Sequence, residues 1–375
     1  MSTRSVLITG GAGFIGSHVA DELIANGFRV RALDNLTPQV HGEARRRPAY
    51  LSPSVELIVG DVRDPEAVAR SLEGMDAVIH LAAAVGVGQS MYDIEHYTSV
   101  NNIGTAVLME AVVKRKVRRL VVASSMSVYG EGLFRDADGG VREASSRTLA
   151  QLRRGDWEVM DDRGRRLEPV PTPETKSVTL ESIYALSKYD QERMCLVLGR
   201  ACDVPTVALR FFNVFGTRQA LSNPYTGVLA IFASRLLNGN RPLVFEDGNQ
   251  QRDFVAVADV ARACRLALES EAASGHVLNI GSGRPRTIVE IARKMAEVVG
   301  KPDLAPEITG KYRMGDVRHC FADISLAKDV LAYEPRVPFD EGLADLSGWL
   351  VGQAGNATDR VADAKAELDA RGLTL

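Results

Sequence analysis

The sequence predicts an α/β protein: a doubly wound parallel sheet followed by a smaller C-terminal α+β region. Three observations predict it. Short runs rich in Val, Ile and Leu recur through the first half without strict alternation, as expected of strands covered on both faces. Amphipathic stretches of helical length separate them. A glycine-rich turn joins the first such strand to the first helix.

Taken in order, strands are expected at 5–9, 29–34, 55–59, 77–81 and 120–124. Helices are expected at 14–26, closed by Gly27, and at 65–72 and 97–114. A further helix at 184–201 and a strand at 206–211 extend the same layer. Beyond residue 216 the rhythm loosens, with helices at 228–237, 260–268, 288–299 and 339–350 and short strands at 242–245 and 254–257. These boundaries divide the chain into a cofactor-binding domain at 1–216, a mainly substrate-binding region at 217–350 and a polar tail at 351–375. The tail has a helical pattern at 361–370 and is assigned no chemistry. Residues 131–180 form an insertion rich in charge, glycine and proline, read as a long irregular connection of the kind used for lids.

Composition narrows the classes. Hydrophobic residues make up 45% and charged residues 25%, enough apolar material for a large core. A net charge of −3 offers no basic field for nucleic acid or an anionic membrane. No apolar run is long enough to span a bilayer, and the N-terminal run is too short for a signal peptide. The four cysteines are dispersed, so neither a disulfide framework nor a metal site is expected, and a cytoplasmic location is.

The turn Gly10-Gly11-Ala12-Gly13-Phe14-Ile15-Gly16 spaces Gly10, Gly13 and Gly16 as a pyrophosphate-binding loop requires. Glycine lets the backbone N–H groups approach the phosphates, and the following helix presents its N-terminus. Asp34 ends the second strand, 18 residues after Gly16, where a carboxylate accepts the adenosine ribose hydroxyls and repels a 2′-phosphate. The expected cofactor is therefore NAD rather than NADP. Arg31 should share a face with Leu33, not with Asp34, and is no phosphate reader. Asp61 and Val62, past the third strand, suit an adenine contact or a simple turn.

Ser124-Ser125-Met126-Ser127-Val128-Tyr129-Gly130 follows the 120–124 strand, and Tyr184-Ala185-Leu186-Ser187-Lys188 opens a helix. Four residues apart, Tyr184 and Lys188 share one helix face. A phenol titrates near pH 10, too high for a neutral-pH base, and a neighbouring ammonium favours the phenolate. Ser125 can share the reacting oxygen's hydrogen bond.

With these motifs in place, the chain resembles an extended short-chain dehydrogenase/reductase of the nucleotide-sugar epimerase/dehydratase group, with a Rossmann-type fold. The likeness covers about residues 5–350 and rests on TGGAGFIGSH (9–18), DN (34–35), GDVRD (60–64), HLAA (80–83), N-x-x-G-T (101–105), SSMSVYG (124–130), YALSK (184–188), LRFFNVFG (209–216), QRDF (251–254), NIGSG (279–283) and RMGD (313–316). The resemblance implies that Gly10, Gly13, Phe14, Ile15 and Gly16 hold the NAD pyrophosphate, with Asp34 and Asn35 at the adenosine ribose. Leu81, Ala82, Ala83, Asn101, Ser124 and Phe212 would line the path to the nicotinamide. Ser125, Tyr184 and Lys188 would be catalytic, with Tyr184 and Lys188 also touching the cofactor. Asn213, Arg252 and Arg313 would grip the substrate diphosphate, and Val87, Ser90 and Val228 would lie on the substrate side.

The resemblance implies a 4-epimerase working through a 4-keto sugar, on a dTDP- or UDP-linked substrate, and a homodimer paired through the 97–114 and 184–201 helices. Related 4,6-dehydratases carry an Asp-Glu pair where this chain has Met126 and Ser127, so elimination lacks its acid and base unless Glu174 or Glu181 substitutes. Ala256 and Cys320 depart from the group's pattern beside the substrate. Tyr129 and Tyr184 lie 55 positions apart, and the insertion with its flanking PVPTPET and NPYTGVLAIFASRLLNG stretches is similar to dTDP-L-rhamnose 4-epimerases. The alternatives are a dehydratase or 4-keto reductase on the same scaffold, and a non-catalytic nucleotide-binding relative.

Overall fold

The computed structural model describes residues 4–144, 146–225, 227–353 and 358–374. Its main sheet has seven parallel strands in the spatial order Val277–Ile280, Thr206–Phe211, Arg119–Ser125, Ala77–His80, Ser5–Thr9, Arg29–Asp34 and Glu56–Val59. Alternate side chains of one strand enter different cores. Val6 and Ile8 join the cluster with Val30, Ala32 and Val121, while Leu7 joins the one with Leu33, Val78 and Leu120. Burial on both faces is why these strands read as continuous apolar runs.

The chain winds outward from Ser5–Thr9 in one direction and from Ala77–His80 in the other. Their carboxyl ends meet at the point where strand order reverses, which is where open α/β sheets bind ligands. A smaller core on the C-terminal side, with Phe215, Phe232, Phe254 and Phe339, closes the far side of that crevice. Its small sheet joins Asn213–Phe215, Gln251–Ala256 and Pro285–Thr287, and His319–Cys320 also pairs with Gln251–Ala256.

Three features differ from the sequence expectation. The seventh strand, Val277–Ile280, returns to the main sheet edge from beyond residue 216 and pairs with Thr206–Phe211. Four residues show too little periodicity to declare that partner. The expected 97–114 helix is broken: a π-helical turn at Thr98–Ile103 separates Ile94–Tyr97 from Gly104–Arg115. Such turns displace side chains from α-helical register and cluster at functional sites.

The insertion is not an irregular connection. Leu133–Arg135 pairs antiparallel with both Val141–Glu143 and Glu168–Val170, and Phe134, Val159 and Leu167 form a small core of their own. Its apolar residues are scattered in sequence because they converge only across the turns.

The four cysteines are free. Among the described residues no His, Cys, Asp and Glu cluster could hold a metal ion, and no helix is long and apolar enough to cross a membrane.

Candidate functional site

The crevice is built from the ends of the central strands. Gly10 sits at φ +69°, and a Cβ there would lie 3.0 Å from the Ala82 N. The glycine turn and the Leu81-Ala82-Ala83 segment therefore abut, and any larger residue would part them. Gly16 is equally constrained, since its Cβ would lie 2.3 Å from the Gly10 carbonyl. Gly13 caps the helix Phe14–Ala25 without a side-chain hydrogen bond, so no capping side chain claims the N–H groups of Phe14, Ile15 and Gly16. That is the donor set a pyrophosphate needs.

Asp34 is buried beside this turn. Its Oδ2 accepts from the Ala12 N at 3.0 Å and its Oδ1 from the Leu36 N at 2.9 Å. His41 approaches Oδ1 at 3.5 Å. Arg31 points away, pairing with Glu56 and donating to the Ser71 and Glu73 carbonyls.

Asp61 is more committed than an adenine contact requires. Arg63 binds both its oxygens and Asn35 donates to Oδ2 at 3.1 Å, which holds the carboxyl well below its usual range. The Val62 side chain is buried in the core with Leu7 and Leu33. The Asp61 carboxylate is thus occupied within its own turn, and the Val62 side chain within the core. If Asp34 sets selectivity, calorimetry should show NAD binding at least about tenfold tighter than NADP, and Asp34→Ser should narrow the gap. Equal affinities in the unaltered protein would refute it.

Beneath the crevice runs a chain of buried polar groups. Lys188 donates to Gln191 Oε1 at 2.7 Å, and Gln191 Nε2 donates to Thr105 Oγ1 at 2.7 Å. Thr105 Oγ1 also meets His80 Nε2 at 2.9 Å, and His80 Nδ1 meets Thr9 Oγ1 at 2.7 Å. Asn101, set inward by the π turn, accepts from the Ala84 N at 2.7 Å and donates to Ser187 Oγ at 2.8 Å. Burial, followed by the nearby Lys188 charge, lowers His80 to about 3, so its imidazole is neutral. Burial lowers Lys188 to about 8. His80 and Thr105 fall inside quoted motifs without a role of their own and Gln191 is singled out by none, because only the fold stacks these positions.

Ser125 comes within hydrogen-bond reach of Tyr184, and Lys188 follows Tyr184 by one turn of the helix Ile183–Ala201. Burial raises the Tyr184 phenol, and a hydrogen bond with Ser125 pulls the other way. Ser127, dismissed from sequence, donates its hydroxyl to Ser125 Oγ at 2.9 Å and its N–H to the same oxygen at 3.2 Å. These two bonds orient the Ser125 hydroxyl. The Ser124 hydroxyl is spent differently: it donates to Glu192 Oε2 at 2.7 Å, within the buried Glu192–Arg210 ion pair. Ser124 can thus meet a cofactor only through its backbone. Phe212 is buried against Tyr129, with ring centroids 6.4 Å apart.

On the substrate side, the buried Asn213 Oδ1 has no hydrogen-bond partner among the described residues and is left able to accept one. Val228 opens its helix at Gly227, again without a side-chain cap. Arg252 donates to the Gln251, Val317 and Arg318 carbonyls. Arg313 pairs with Asp316 at 2.9 Å and stacks on Phe245. Both arginines border the 313–318 segment. Arg252 is held by carbonyls rather than left free, a restraint that pre-sets its fork. Ser90 accepts from the Tyr184 N at 3.0 Å, tying the loop of Val87 to the catalytic helix Ile183–Ala201. Glu174 accepts from the Asn279 N at 2.7 Å, and the half-buried Glu181 side chain accepts from Ser146.

The profile of the NAD dependent epimerase/dehydratase family matches residues 6–148 and 162–281, breaking only inside the insertion. A dTDP-L-rhamnose 4-epimerase of Burkholderia thailandensis is 37% identical over 357 residues, covering 92% of this chain and 95% of its own. A UDP-N-acetyl-alpha-D-glucosaminuronate decarboxylase of Bacillus cytotoxicus is 29% identical, covering 92% and 97%. The crystal structure of Thermotoga maritima UDP-glucose 4-epimerase with UDP-glucose superimposes with a TM-score of 0.75 at 30% identity, covering 93% of this chain and 99% of that one. The family match spans most of the chain, and the relatives cover nearly all of it; the chain belongs to the NAD dependent epimerase/dehydratase family, with NAD as its cofactor.

Proposed function

We propose that this protein is a nucleotide-sugar 4-epimerase, and that its substrate is a dTDP-linked 6-deoxysugar such as dTDP-L-rhamnose. Tyr184 takes the proton of the sugar C4 hydroxyl, while Ser125, held by Ser127, donates a hydrogen bond to the same oxygen. Lys188, close to its own titration point, supplies the positive charge that favours the Tyr184 phenolate. When bound, NAD supplies the hydride acceptor for C4 and returns the hydride. The loop of Val87 and the diphosphate arginines hold the nucleotide while the 4-keto sugar turns over in the pocket. Tyr184 then returns its proton to the reduced oxygen.

The observation that carries this reading is the occupancy of the two positions after Ser125. Met126 is buried and holds no proton, and Ser127 is bound to Ser125. Glu174 is tied to the Asn279 N and Glu181 to Ser146, so both carboxyls are anchored elsewhere in the chain rather than set beside Ser125 as the missing pair would be. The Burkholderia relative supports the sugar class.

In D2O, C4 epimers of dTDP-L-rhamnose should interconvert without deuterium entering C5 or C6 and without net NADH. Accumulation of a 4-keto-6-deoxy product from a dTDP- or UDP-hexose would replace the epimerase with a dehydratase.

We also propose a homodimer. Ile103, Leu186 and Val197 stay roughly half exposed on the two long helices beside the site, an arrangement that suits a partner's equivalent helices. Light scattering at micromolar concentration should give twice the chain mass, and a monomer would refute this.

A further inference from the structure

We infer that the C-terminal segment 358–374 is part of the substrate site: it latches the sugar-side loop to the diphosphate-side loop across the mouth of the crevice. This rests on the proposed nucleotide-sugar chemistry.

The segment first attaches to the stretch 222–240. The Thr358 N donates to Ser222 Oγ at 3.0 Å, and Asp359 binds Arg235 at 3.3 Å and Asn240 at 2.8 Å. The helix Val361–Ala370 then crosses toward the crevice with Ala364 and Leu368 buried beneath it. Leu368 lies over Gly88, where a Cβ would come 3.5 Å from its methyl. The Arg371 guanidinium stacks on the Tyr92 ring at 4.5 Å. Tyr92 and Tyr225 share a 2.5 Å hydrogen bond, and Gly86 is wedged so tightly that a Cβ would lie 2.8 Å from Tyr225 and 2.9 Å from the Tyr97 hydroxyl. Tyr97 in turn stands edge-on to Tyr184, with ring centroids 6.5 Å apart. Contacts thus run without a gap from the tail helix to the catalytic tyrosine.

The end of the segment reaches the other wall. Thr374 bridges Arg313 in antiparallel fashion, and the Met314 N donates to the Leu373 carbonyl at 3.0 Å. Arg313 is the arginine assigned to the substrate diphosphate. One short stretch of chain therefore holds the Gly86–Tyr92 loop at its helix and the Arg313–Asp316 loop at its end. The two loops already approach each other, since a Cβ on Gly315 would lie 3.7 Å from Val87. A 4-keto sugar must rotate without leaving, and a wall that ties both loops together keeps it inside. The tail acts as a positioning element and touches no reacting atom.

The test compares the full chain with a protein ending at Gly352 and with Arg371→Ala and Leu368→Asp, using dTDP-L-rhamnose for turnover and dTDP for calorimetry. NAD content and melting temperature confirm that each variant is folded, and Arg371→Ala, an exposed site, remains informative if the shortened chain is not. The latch requires KM to rise about tenfold with kcat changed far less, and free 4-keto sugar to appear in the medium, trapped by borohydride. Unchanged KM with no released keto sugar overturns it. If the full chain does not turn over dTDP-L-rhamnose, the proposed function fails, and dTDP affinity decides the latch separately: weaker binding without the tail supports it, and equal binding overturns it. Absence of dTDP binding by the full chain overturns both.

Discussion

Tyr184→Phe is expected to lower kcat by about 10²–10⁴-fold while NAD remains bound. In the proposed mechanism the phenol takes the C4 proton, and the ring without its hydroxyl keeps its edge-on seat against Tyr97. Ground-state contacts are left intact, so KM should move little and the loss should fall on kcat. The buried setting sharpens the prediction. Burial raises the Tyr184 phenol and lowers Lys188 to about 8, both away from the phenolate–ammonium pair that catalysis uses. The hydrogen bond from Ser125 already opposes the first shift. Ser127→Ala should therefore give a smaller loss than Tyr184→Phe, with the alkaline rise of the pH–rate profile displaced upward. Retention of full kcat in Tyr184→Phe would remove the tyrosine from the mechanism.

Arg318→Ala is expected to cost about 3–5 kcal/mol of stability in denaturant unfolding. Arg318 is fully buried and binds Glu158 at 2.6 Å, Glu246 at 2.8 Å and Asp247 at 2.6 Å. Glu158 comes from the insertion, so this one guanidinium pins the insertion to the segment that follows Arg313. Arg147, also from the insertion, reinforces the seat by binding Glu246 at 2.9 Å and donating to the Asp316 carbonyl.

Removal of Arg318 leaves three carboxylates facing one another. Burial opposes ionisation of Glu158, but bonds from His319 and Arg318 outweigh it and hold it at about 2. Burial likewise opposes Asp247, and Arg318 with the Asn249 backbone holds it at about 2. Both folded values lie below the ordinary carboxyl range. Their contribution is therefore complete above that range and is lost as pH falls through about 2. The unaltered protein should lose stability across this acid window, and Arg318→Ala should flatten that limb while being less stable at neutral pH. An unchanged unfolding midpoint would show the network to be idle. Because the same segment carries Arg313, proposed to hold the diphosphate, KM should rise with the loss of the brace.

Several elements were legible because their signals are local. The glycine turn, Asp34 and the Tyr184–Lys188 spacing each depend on one strand, one turn or one helix, and the structure sets them where the sequence spacing requires. The strands Ser5–Thr9, Arg29–Asp34 and Thr206–Phe211 fall at their expected bounds for the same reason: burial on both faces writes a continuous apolar run into the chain. The insertion and the seventh strand did not announce themselves. Phe134, Val159 and Leu167 meet only after the chain turns twice, and Val277–Ile280 is a strand only because Thr206–Phe211 presents an open edge.

By itself, then, the sequence determined the sheet's central strands, the glycine turn and the Tyr184–Lys188 spacing, each encoded within a few neighbouring residues. Tertiary structure alone decided that Ser127 orients Ser125, that Gln191, Thr105 and His80 link Lys188 to Thr9, and that a polar tail assigned no chemistry spans the crevice mouth. Those contacts join residues that no periodicity relates, and they exist only once the hydrophobic cores have fixed where each element lies.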